Sequence, residues 1–289
     1  MKLALGTVQF GLNYGVANAA GMVSQAEASR VLALARESGI DTLDTAAAYG
    51  ESESVLGAIN VDGWHVVSKM PPQIQEGMSV ADWTMESVNN SLARLRQRNL
   101  YGILLHRPSQ LLGAGGDAIY RTLQRLKCDG VVSKIGISIY DPEELDNLSR
   151  NFDFDLVQAP LSVVDRRLVS SGWMSRLADR GIELHVRSAF LQGLLLMGEA
   201  DRPQKFGRWQ SLWRDWHAWL DESGISAAEA CVRYALSHVE VGRVVVGVQS
   251  HYQLAEIVSA ASRGGLEAPP HLSADSEDLL NPARWPSLE

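Results

Sequence analysis

The sequence has few cysteines, no long apolar run and no run of basic residues. Its two cysteines, Cys128 and Cys231, lie far apart on predicted helices, so we predict two buried thiols and no metal site. No apolar stretch approaches the roughly 20 residues that span a bilayer, and the N-terminus lacks the apolar core of a signal peptide. The formal net charge is −8. We therefore expect a cytoplasmic protein that binds neither membranes nor nucleic acid.

Short β-type runs alternate with segments of helical periodicity along the whole chain. The runs are Leu3–Leu5, Thr42–Asp44, His65–Ser68, Gly102–Leu105, Ile135–Ser138, Leu156–Gln158, Glu183–Val186 and Val244–Val246. This alternation predicts a parallel sheet, because neighbouring parallel strands need a crossover long enough for a helix. Eight such units predict a (β/α)₈ barrel, the TIM-barrel fold. The composition, 46% hydrophobic and 21% charged, is that of a globular protein, and we expect residues 1–289 to form one domain.

Capping residues mark the predicted starts and ends of helices. Ser24, Ser226 and Ser250 each precede an acid or amide by three residues, which is the spacing of a capping box. Asp141 stands before Pro142, where an aspartate N-cap and proline at the first helical position begin another helix. Gly39 is expected to end the first helix. These signals place the loops that follow each strand.

One segment, Met197 to Ser223, interrupts the alternation after the seventh strand. It carries four tryptophans at helical spacing, Trp209, Trp213, Trp216 and Trp219. We interpret it as an inserted helix whose aromatic face packs on the barrel rim, in preference to a ligand-binding aromatic group. Because the insertion leaves from the C-terminal end of a strand, part of it is in a position to overhang the active site.

Four polar residues follow three consecutive predicted strands. Asp44 ends the second strand, Tyr49 lies in the loop after it, Lys69 ends the third strand and His106 follows the fourth. Each alone has an ordinary structural explanation, such as a helix cap, a rim aromatic, an ammonium that reaches solvent or a core histidine. The C-terminal ends of the strands of a (β/α)₈ barrel form its active site, so their convergence indicates a catalytic group.

The chemistry of this group follows from the pKa of tyrosine, about 10 in water. A nearby Lys69 ammonium would favour the phenolate of Tyr49 and bring proton donation closer to neutral pH. Asp44 would hold Lys69 in place, and His106 would orient a substrate carbonyl oxygen by a hydrogen bond. Reduction of that carbonyl also needs a hydride, which no side chain supplies. We therefore predict a cofactor.

The segment Asp44–Gly57, DTAAAYGESESVLG, resembles the DTAxxYGxSExxLG signature of the aldo/keto reductases. Lys69 and His106 fall where that family has its lysine and histidine, and Lys134–Ser138 and Val157-Gln158 resemble two further motifs. The resemblance runs from about Leu5 to about Ala261. It implies a (β/α)₈ barrel that reduces a small carbonyl substrate with NADPH or NADH. It also implies a catalytic tetrad of Asp44, Tyr49, Lys69 and His106, with Tyr49 as the general acid.

The resemblance also implies a set of cofactor contacts. Gly6, Thr7 and Asp44 would approach the nicotinamide, and Ser138 and Gln158 would bind its carboxamide. Arg187, Ser188, Leu191 and Gly193 belong to the loop that holds the pyrophosphate, and Gly247, Gln253, Glu256 and Ile257 belong to the segment around the adenosine. The helix capped by Ser250 can present backbone N–H groups to an anion there.

This chain departs from the family pattern at several positions. Ile139 replaces an asparagine that contacts the carboxamide, and Arg187 stands where many members have a tyrosine that stacks on the nicotinamide. Arg187 could stack likewise, contact phosphate, or form a salt bridge at the rim. Gly247 and Gln253 replace the cations that bind a 2′-phosphate, which leaves NADPH and NADH both open. No N-terminal hairpin precedes the first strand, so another part of the chain must cover the barrel floor.

The leading hypothesis is reduction of an aldehyde or ketone to an alcohol. Two alternatives remain: a cofactor-binding regulatory protein of the same fold with little turnover, and a lyase or isomerase that acts through a Schiff base on Lys69. The substrate depends on the loops Gln9–Tyr14 and Arg107–Gly116 and on the insertion. Gln9, Asn13 and Tyr14 are polar and would suit a sugar or polyol, although they are also ordinary turn formers.

Overall fold

The computed structural model describes residues 1–74 and 77–288, in which eight parallel strands close into a barrel. The strands are β1 (Leu3–Gly6), β2 (Thr42–Asp44), β3 (His65–Met70), β4 (Leu100–Leu105), β5 (Val132–Ser138), β6 (Leu156–Pro160), β7 (Glu183–Arg187) and β8 (Arg243–Gly247). Each strand pairs with the next, and β8 closes the barrel against β1. The predicted (β/α)₈ barrel is confirmed, and every predicted strand lies within an observed one.

Helices separate the strands and form the outer layer. They are α1 (Gln25–Glu37), α2 (Ser52–Ile59), α3 (Val80–Leu95), α4 (Gly116–Cys128), α5 (Glu143–Leu148), α6 (Arg167–Ser170), α7 (Trp173–Asp179), α8 (Gln210–Ser223), α9 (Ala227–Leu236), α10 (His251–Ala261) and α11 (Glu277–Leu280). Short 3₁₀ helices cover Val8–Phe10, Pro108–Leu112, Leu191–Leu196, Gln204–Trp209, Pro270–Leu272 and Pro282–Ser287. Within the described residues, none of the helices is long and apolar enough to cross a membrane.

The predicted capping residues occupy the helix ends. Ser24, Ser226 and Ser250 each accept a hydrogen bond from the backbone N–H three residues later. Asp141 Oδ1 accepts from the Glu143 N–H at 2.9 Å, so the aspartate cap is formed although the helix begins at Glu143. Gly39 follows the end of α1 with a φ of +76°, a conformation that favours glycine.

Side chains alternate between the inside and the outside of the barrel. Val67, Leu104 and Leu156 form a small apolar cluster of their own, apart from the large core between strands and helices. Lys69 and His106 come two residues after Val67 and Leu104, and residues two apart on a strand face the same side. The alternation therefore directs both polar side chains toward the C-terminal opening of the barrel.

The insertion after β7 contains the predicted helix, α8. Trp213 and Trp216 are buried, and their indole N–H groups donate to Phe206 O at 2.8 Å and to Leu195 O at 3.1 Å. Trp209 and Trp219 are partly buried against the same core. The predicted packing of an aromatic helix face is confirmed for Trp213, Trp216 and Trp219, whereas Trp209 ends the 3₁₀ helix before α8.

The two cysteines differ in their burial. Cys231 on α9 is fully buried, as predicted, whereas Cys128 is exposed. The prediction for Cys128 is wrong because this residue falls off the buried face of α4, which carries Ile119, Leu123 and Leu126.

A polar network lies at the N-terminal ends of the strands, opposite the catalytic candidates. Glu183 accepts hydrogen bonds from the Tyr101 hydroxyl at 2.7 Å and from His185 Nε2 at 2.7 Å, and it pairs with Lys134. The His65 ring stacks on Tyr101 with a centroid separation of 4.4 Å. These side chains occupy the barrel floor.

We predict that Glu183→Gln destabilises the protein in a pH-dependent way. Burial opposes ionisation of Glu183, but hydrogen bonds from His185, Lys134 and Tyr101 outweigh it and hold the pKa well below its ordinary value. A lowered pKa stabilises the fold above the unfolded value, near 4.3, and this stability is lost as the pH falls. Urea denaturation should show a loss of about 2 kcal/mol at neutral pH. The difference from wild type should shrink as the pH falls from about 5 to about 3.

Glu277→Gln provides the matched control. Glu277 pairs with Arg284, and both side chains are about half exposed. Its loss should cost at most about 0.5 kcal/mol with little pH dependence. Equal losses for the two variants at every pH would contradict a structural role for the floor network.

Candidate active site

A cavity of about 420 Å³ opens at the C-terminal ends of the strands. Most of the predicted site residues line it: Gly6, Thr7, Asp44, Tyr49, His106, Ser138, Arg187, Ser188, Gly193, Gly247 and Gln253. The others are outside the lining: Lys69 and Gln158 are fully buried, Leu191 and Ile257 are in the core, and Glu256 is exposed. The barrel thus brings together residues from every part of the sequence around one space.

A buried ion pair lies in the wall of the cavity. Lys69 is 1% exposed, and its Nζ donates to Asp44 Oδ1 at 2.7 Å, Asp44 Oδ2 at 2.8 Å and Thr45 O at 2.9 Å. An ammonium has three N–H donors, so this arrangement satisfies all of them. Burial lowers the pKa of Lys69, and the Asp44 carboxylate opposes that effect. Gln158 Nε2 donates to Asp44 Oδ2 at 2.7 Å and fixes the carboxylate from the other side.

Two glycines position Tyr49 above this pair. A Cβ on Gly11 would lie 1.9 Å from Tyr49 O, and a Cβ on Gly50 would lie 2.4 Å from Gly11 O. Gly50 also has a φ of +54°, which disfavours other residues. The backbone after β1 thus packs directly on the turn that holds Tyr49. The centroid of the Tyr49 ring lies 5.0 Å from Lys69 Nζ. The same ring makes an edge contact with the His106 ring, with 5.9 Å between the two centroids.

The pKa of Tyr49 shifts in the direction opposite to our prediction. Burial raises it above its ordinary value, Asp44 raises it further, and the charge of Arg187 opposes the shift only in part. The prediction was wrong because it considered the Lys69 charge but not the burial of the Tyr49 hydroxyl, which together with the Asp44 carboxylate disfavours the phenolate. Burial also lowers the pKa of His106 to about 4, with the charges of Lys69 and Arg187 adding to the effect. At neutral pH the tyrosine is protonated and the histidine is neutral.

A second set of contacts connects α2 with β1, β2 and β3 near their C-terminal ends. Ser52 Oγ lies 2.8 Å from Thr7 O, and the Thr7 hydroxyl donates to Asp44 O at 2.9 Å. Glu53 is buried, accepts a hydrogen bond from Ser68 and pairs with Arg94 at 2.7 Å. Ser52 and Glu53 were visible in the DTAAAYGESESVLG motif, but their spacing does not reveal which strands they reach.

The loops after β1 and β7 meet over the cavity. Gln192 Nε2 donates to the Tyr14 hydroxyl at 2.8 Å, and the Val16 N–H donates to Gln192 O at 3.0 Å. A Cβ on Gly193 would lie 2.7 Å from Ala17 Cβ, so the two backbones approach closely. Leu191, Gln192 and Gly193 all have positive φ. Such backbone turns can present N–H groups to an anion.

Arg187 brings a positive charge to the cavity. Its guanidinium stacks on Tyr140 at 4.5 Å and donates to Ile139 O at 2.8 Å and to Ser188 Oγ at 3.1 Å. In residues 1–74 and 77–288 no carboxylate forms an ion pair with it, which argues against the rim salt bridge that the sequence left open. The Ile139 side chain is buried, so this position contributes its carbonyl.

A family model for the aldo/keto reductases matches residues 2–268. The chain belongs to this family. An aldo-keto reductase from Mycobacterium sp. (strain MCS) is 32% identical over 132 residues, so the match spans 44% of this chain and 45% of that protein, less than half of each. The oxidoreductase sirO of Leptosphaeria maculans is 24% identical over 86% of this chain and 84% of its own length.

Solved structures of aldo-keto reductases share the fold of this family member. AKR11C1 from Bacillus halodurans, in its holo form, superposes with a TM-score of 0.74 at 21% identity, covering 92% of this chain and 88% of that chain. The glycerol dehydrogenase AKR11B4 from Gluconobacter oxydans superposes with a TM-score of 0.68 at 19% identity, covering 94% and 88%.

Other residues of this aldo/keto reductase that line the cavity were not predicted from the sequence. They include Leu12, Ala48, Tyr140, Phe190, Gln192 and Leu196. Of the residues predicted to favour a polar substrate, Gln9 and Tyr14 line the cavity, whereas Asn13 is exposed outside the lining. The only sequence signal for the unpredicted lining residues was membership of the loops after β1, β2, β5 and β7.

We predict strong thermodynamic coupling between Asp44 and Lys69. Lys69→Met leaves a buried carboxylate and Asp44→Asn leaves a buried ammonium, so each should lower the free energy of unfolding by about 3–5 kcal/mol. The double variant removes both charges and should lose far less than the sum. Urea denaturation of wild type, both single variants and the double variant measures this coupling.

The same cycle on Arg125 and Asp129 is the control. This pair is exposed on one helix with 3.7 Å between its charged atoms, so the expected coupling is about 0.5 kcal/mol or less. Additive losses for Asp44→Asn and Lys69→Met would show that the buried pair does not act as a unit.

Proposed function

We propose that this protein is a nicotinamide-dependent oxidoreductase that reduces an aldehyde or ketone to an alcohol, with Tyr49 as the general acid. One observation carries the proposal. Tyr49 and His106 line the same cavity, directly beside a buried Lys69–Asp44 pair. A protonated tyrosine and a neutral imidazole are suitable hydrogen-bond donors to one carbonyl oxygen.

The described residues fit a dinucleotide cofactor. The cavity extends from Tyr49 past Gly6 and Gly247, at adjacent strand ends, to Gln253 on α10. Its size and mixed polar and apolar lining are those of a small-molecule site. The positive φ angles in the loop after β7 and the charge of Arg187 suit an anionic pyrophosphate. When bound, the dihydronicotinamide supplies the hydride that no side chain can provide.

The residues of the chain would supply the proton and the oxygen-binding groups. We infer that the Tyr49 hydroxyl and the His106 ring both donate hydrogen bonds to the substrate carbonyl oxygen. The raised pKa of Tyr49 keeps its proton in place until negative charge develops on that oxygen. The nearby charge of Arg187, which partly opposes the raised pKa, then stabilises the phenolate that remains. The two loops joined through Tyr14 and Gln192 limit access of water.

We assign the remaining cofactor contacts by their places around the cavity. Ser138 lines it and donates to Gln158 Oε1 at 3.2 Å, so Ser138 would contact the carboxamide directly and Gln158 would act through Ser138 and Asp44. Arg187 would bind the cofactor from the end of β7. The contacts predicted for Leu191, Glu256 and Ile257 remain predictions.

The substrate end of the cavity has polar and apolar surfaces. Gln9 and Tyr14 stand beside Leu12 and Leu196. Gln9 Oε1 is buried, and the described part of the chain provides no hydrogen-bond partner for it. Such a group suits a substrate that carries hydroxyl groups as well as the reacting carbonyl. We therefore propose a sugar or a related polyol derivative.

We predict that Tyr49→Phe abolishes reduction while cofactor binding persists. The variant keeps the ring contacts with Lys69 and His106 but lacks the donated proton, so the rate should fall by a factor of about 10²–10⁴. Single-turnover loss of reduced-nicotinamide absorbance with a panel of aldehydes, ketones and keto sugars measures this.

Tyr120→Phe is the control, because Tyr120 lies on α4 outside the cavity lining and donates its hydroxyl to Asp153 O at 2.9 Å. Its turnover should match wild type. Unchanged turnover in Tyr49→Phe would refute the role of Tyr49. Tight cofactor binding without turnover by wild type would favour a regulatory function instead.

A further inference from the structure

The adenosine end of the proposed cofactor site meets the N-terminal turn of α10. Gln249 and Gln253, on either side of Ser250, line the cavity there. Backbone N–H groups at a helix N-terminus bind a phosphate only when they are free to donate to it. Whether these N–H groups already donate to other acceptors therefore affects which dinucleotide can bind.

Three of these N–H groups already have partners within the protein. Gln253 N–H donates to Ser250 Oγ at 3.3 Å, and Gln249 N–H donates to Gln253 Oε1 at 2.8 Å. His251 N–H donates at 2.8 Å to Glu27 Oε1, a residue of α1. A carboxylate from the neighbouring helix thus accepts from one of the N–H groups that a phosphate would need.

Glu27 is fixed in this position by several bonds. His251 Nδ1 also lies 2.7 Å from Glu27 Oε1, and Arg30 Nη1 donates to Glu27 Oε2 at 2.6 Å. The hydrogen bonds from His251 hold the pKa of Glu27 at about 2, so it is negative at neutral pH. In a capping box this side chain would bond to the backbone N–H of Ser24. Its recorded partners lie on α10 and at Arg30 instead.

In the described part of the chain, the basic side chains beside this turn already have partners. Arg30 and His251 both bond to Glu27. A Cβ on Gly247 would lie 2.7 Å from the amide of the Gln9 side chain, so a basic residue at that position would have to displace this amide. Gln253 is uncharged. The turn therefore brings two amides, Gln249 and Gln253, to the cavity lining and holds the Glu27 carboxylate at the first residue of α10.

We propose that Glu27 is a specificity-determining residue that makes this enzyme select NADH over NADPH. A 2′-phosphate would place about two negative charges beside the carboxylate. Free ribose hydroxyls, in contrast, can donate to a carboxylate, as an acidic residue accepts them in other dinucleotide-binding folds. This inference rests on the proposed function, because it concerns the same cofactor site.

Equilibrium titration of the full-length protein with NADH and with NADPH, followed by quenching of tryptophan fluorescence, tests the proposal. Wild type should bind NADH at least about tenfold more tightly. Glu27→Gln should tighten NADPH binding by about tenfold and change NADH binding little. Glu27→Gln with Gln253→Arg should reverse the preference. Because the discrimination is electrostatic, added salt should narrow the wild-type ratio.

Glu37→Gln is the control for net charge, since Glu37 is an exposed residue at the other end of α1. Its NADH to NADPH ratio should equal that of wild type. Thermal melting of each variant shows whether it is folded, and Glu27→Ala provides a second variant if Glu27→Gln is unstable.

Several results would overturn the proposal. Equal or tighter wild-type binding of NADPH would show that Arg30 and His251 release Glu27 and bind the phosphate. Equal changes in both affinities for Glu27→Gln would show a purely structural role. Binding of neither dinucleotide would refute both this proposal and the proposed function. Selective NADH binding without turnover of any carbonyl would support Glu27 while contradicting the reductase activity.

Discussion

The buried pair of Lys69 and Asp44 constrains the rest of the site. An ammonium and a carboxylate lose their hydration when they are buried, and such a pair is maintained only if its remaining donors and acceptors are also satisfied. Thr45 O accepts the third ammonium proton, and Gln158 donates to the carboxylate. These bonds tie together β2, β3 and β6, so the ion pair joins three strands across the barrel. Removal of one charge is therefore expected to disturb both stability and the position of Tyr49.

The loops extend this rigid base to the cavity surface. Gly11 and Gly50 allow two backbones to approach within contact distance, and this approach places Tyr49 beside the ion pair. The loop after β1 continues to Tyr14, where it bonds to Gln192 of the loop after β7. Arg187 at the base of that loop adds the charge that opposes the raised pKa of Tyr49. The four catalytic candidates thus depend on contacts between segments that are distant in sequence.

Local sequence signals predicted the barrel well, because strand alternation and helix capping act over a few residues. The convergence of the four catalytic candidates was predictable for a different reason, because the C-terminal ends of the strands of such a barrel meet at one rim. The direction of the Tyr49 pKa shift was not predictable, because it depends on the burial of the hydroxyl in the folded barrel and on the charges of Asp44 and Arg187 around it. Cys128 was wrongly predicted to be buried because it lies outside the buried face of α4. Glu27 was read only as part of a local cap, and its contact with α10 spans more than two hundred residues.

The central claim is that Tyr49 and His106 bind one substrate oxygen above an intact Lys69–Asp44 pair. A crystal structure with the cofactor and an alcohol product tests it most directly. The account predicts the Tyr49 hydroxyl and a His106 ring nitrogen within about 3.2 Å of the same ligand oxygen, with Lys69 still bonded to Asp44. A ligand oxygen bound by other groups, or a Lys69 that has left Asp44 for the substrate, would contradict it.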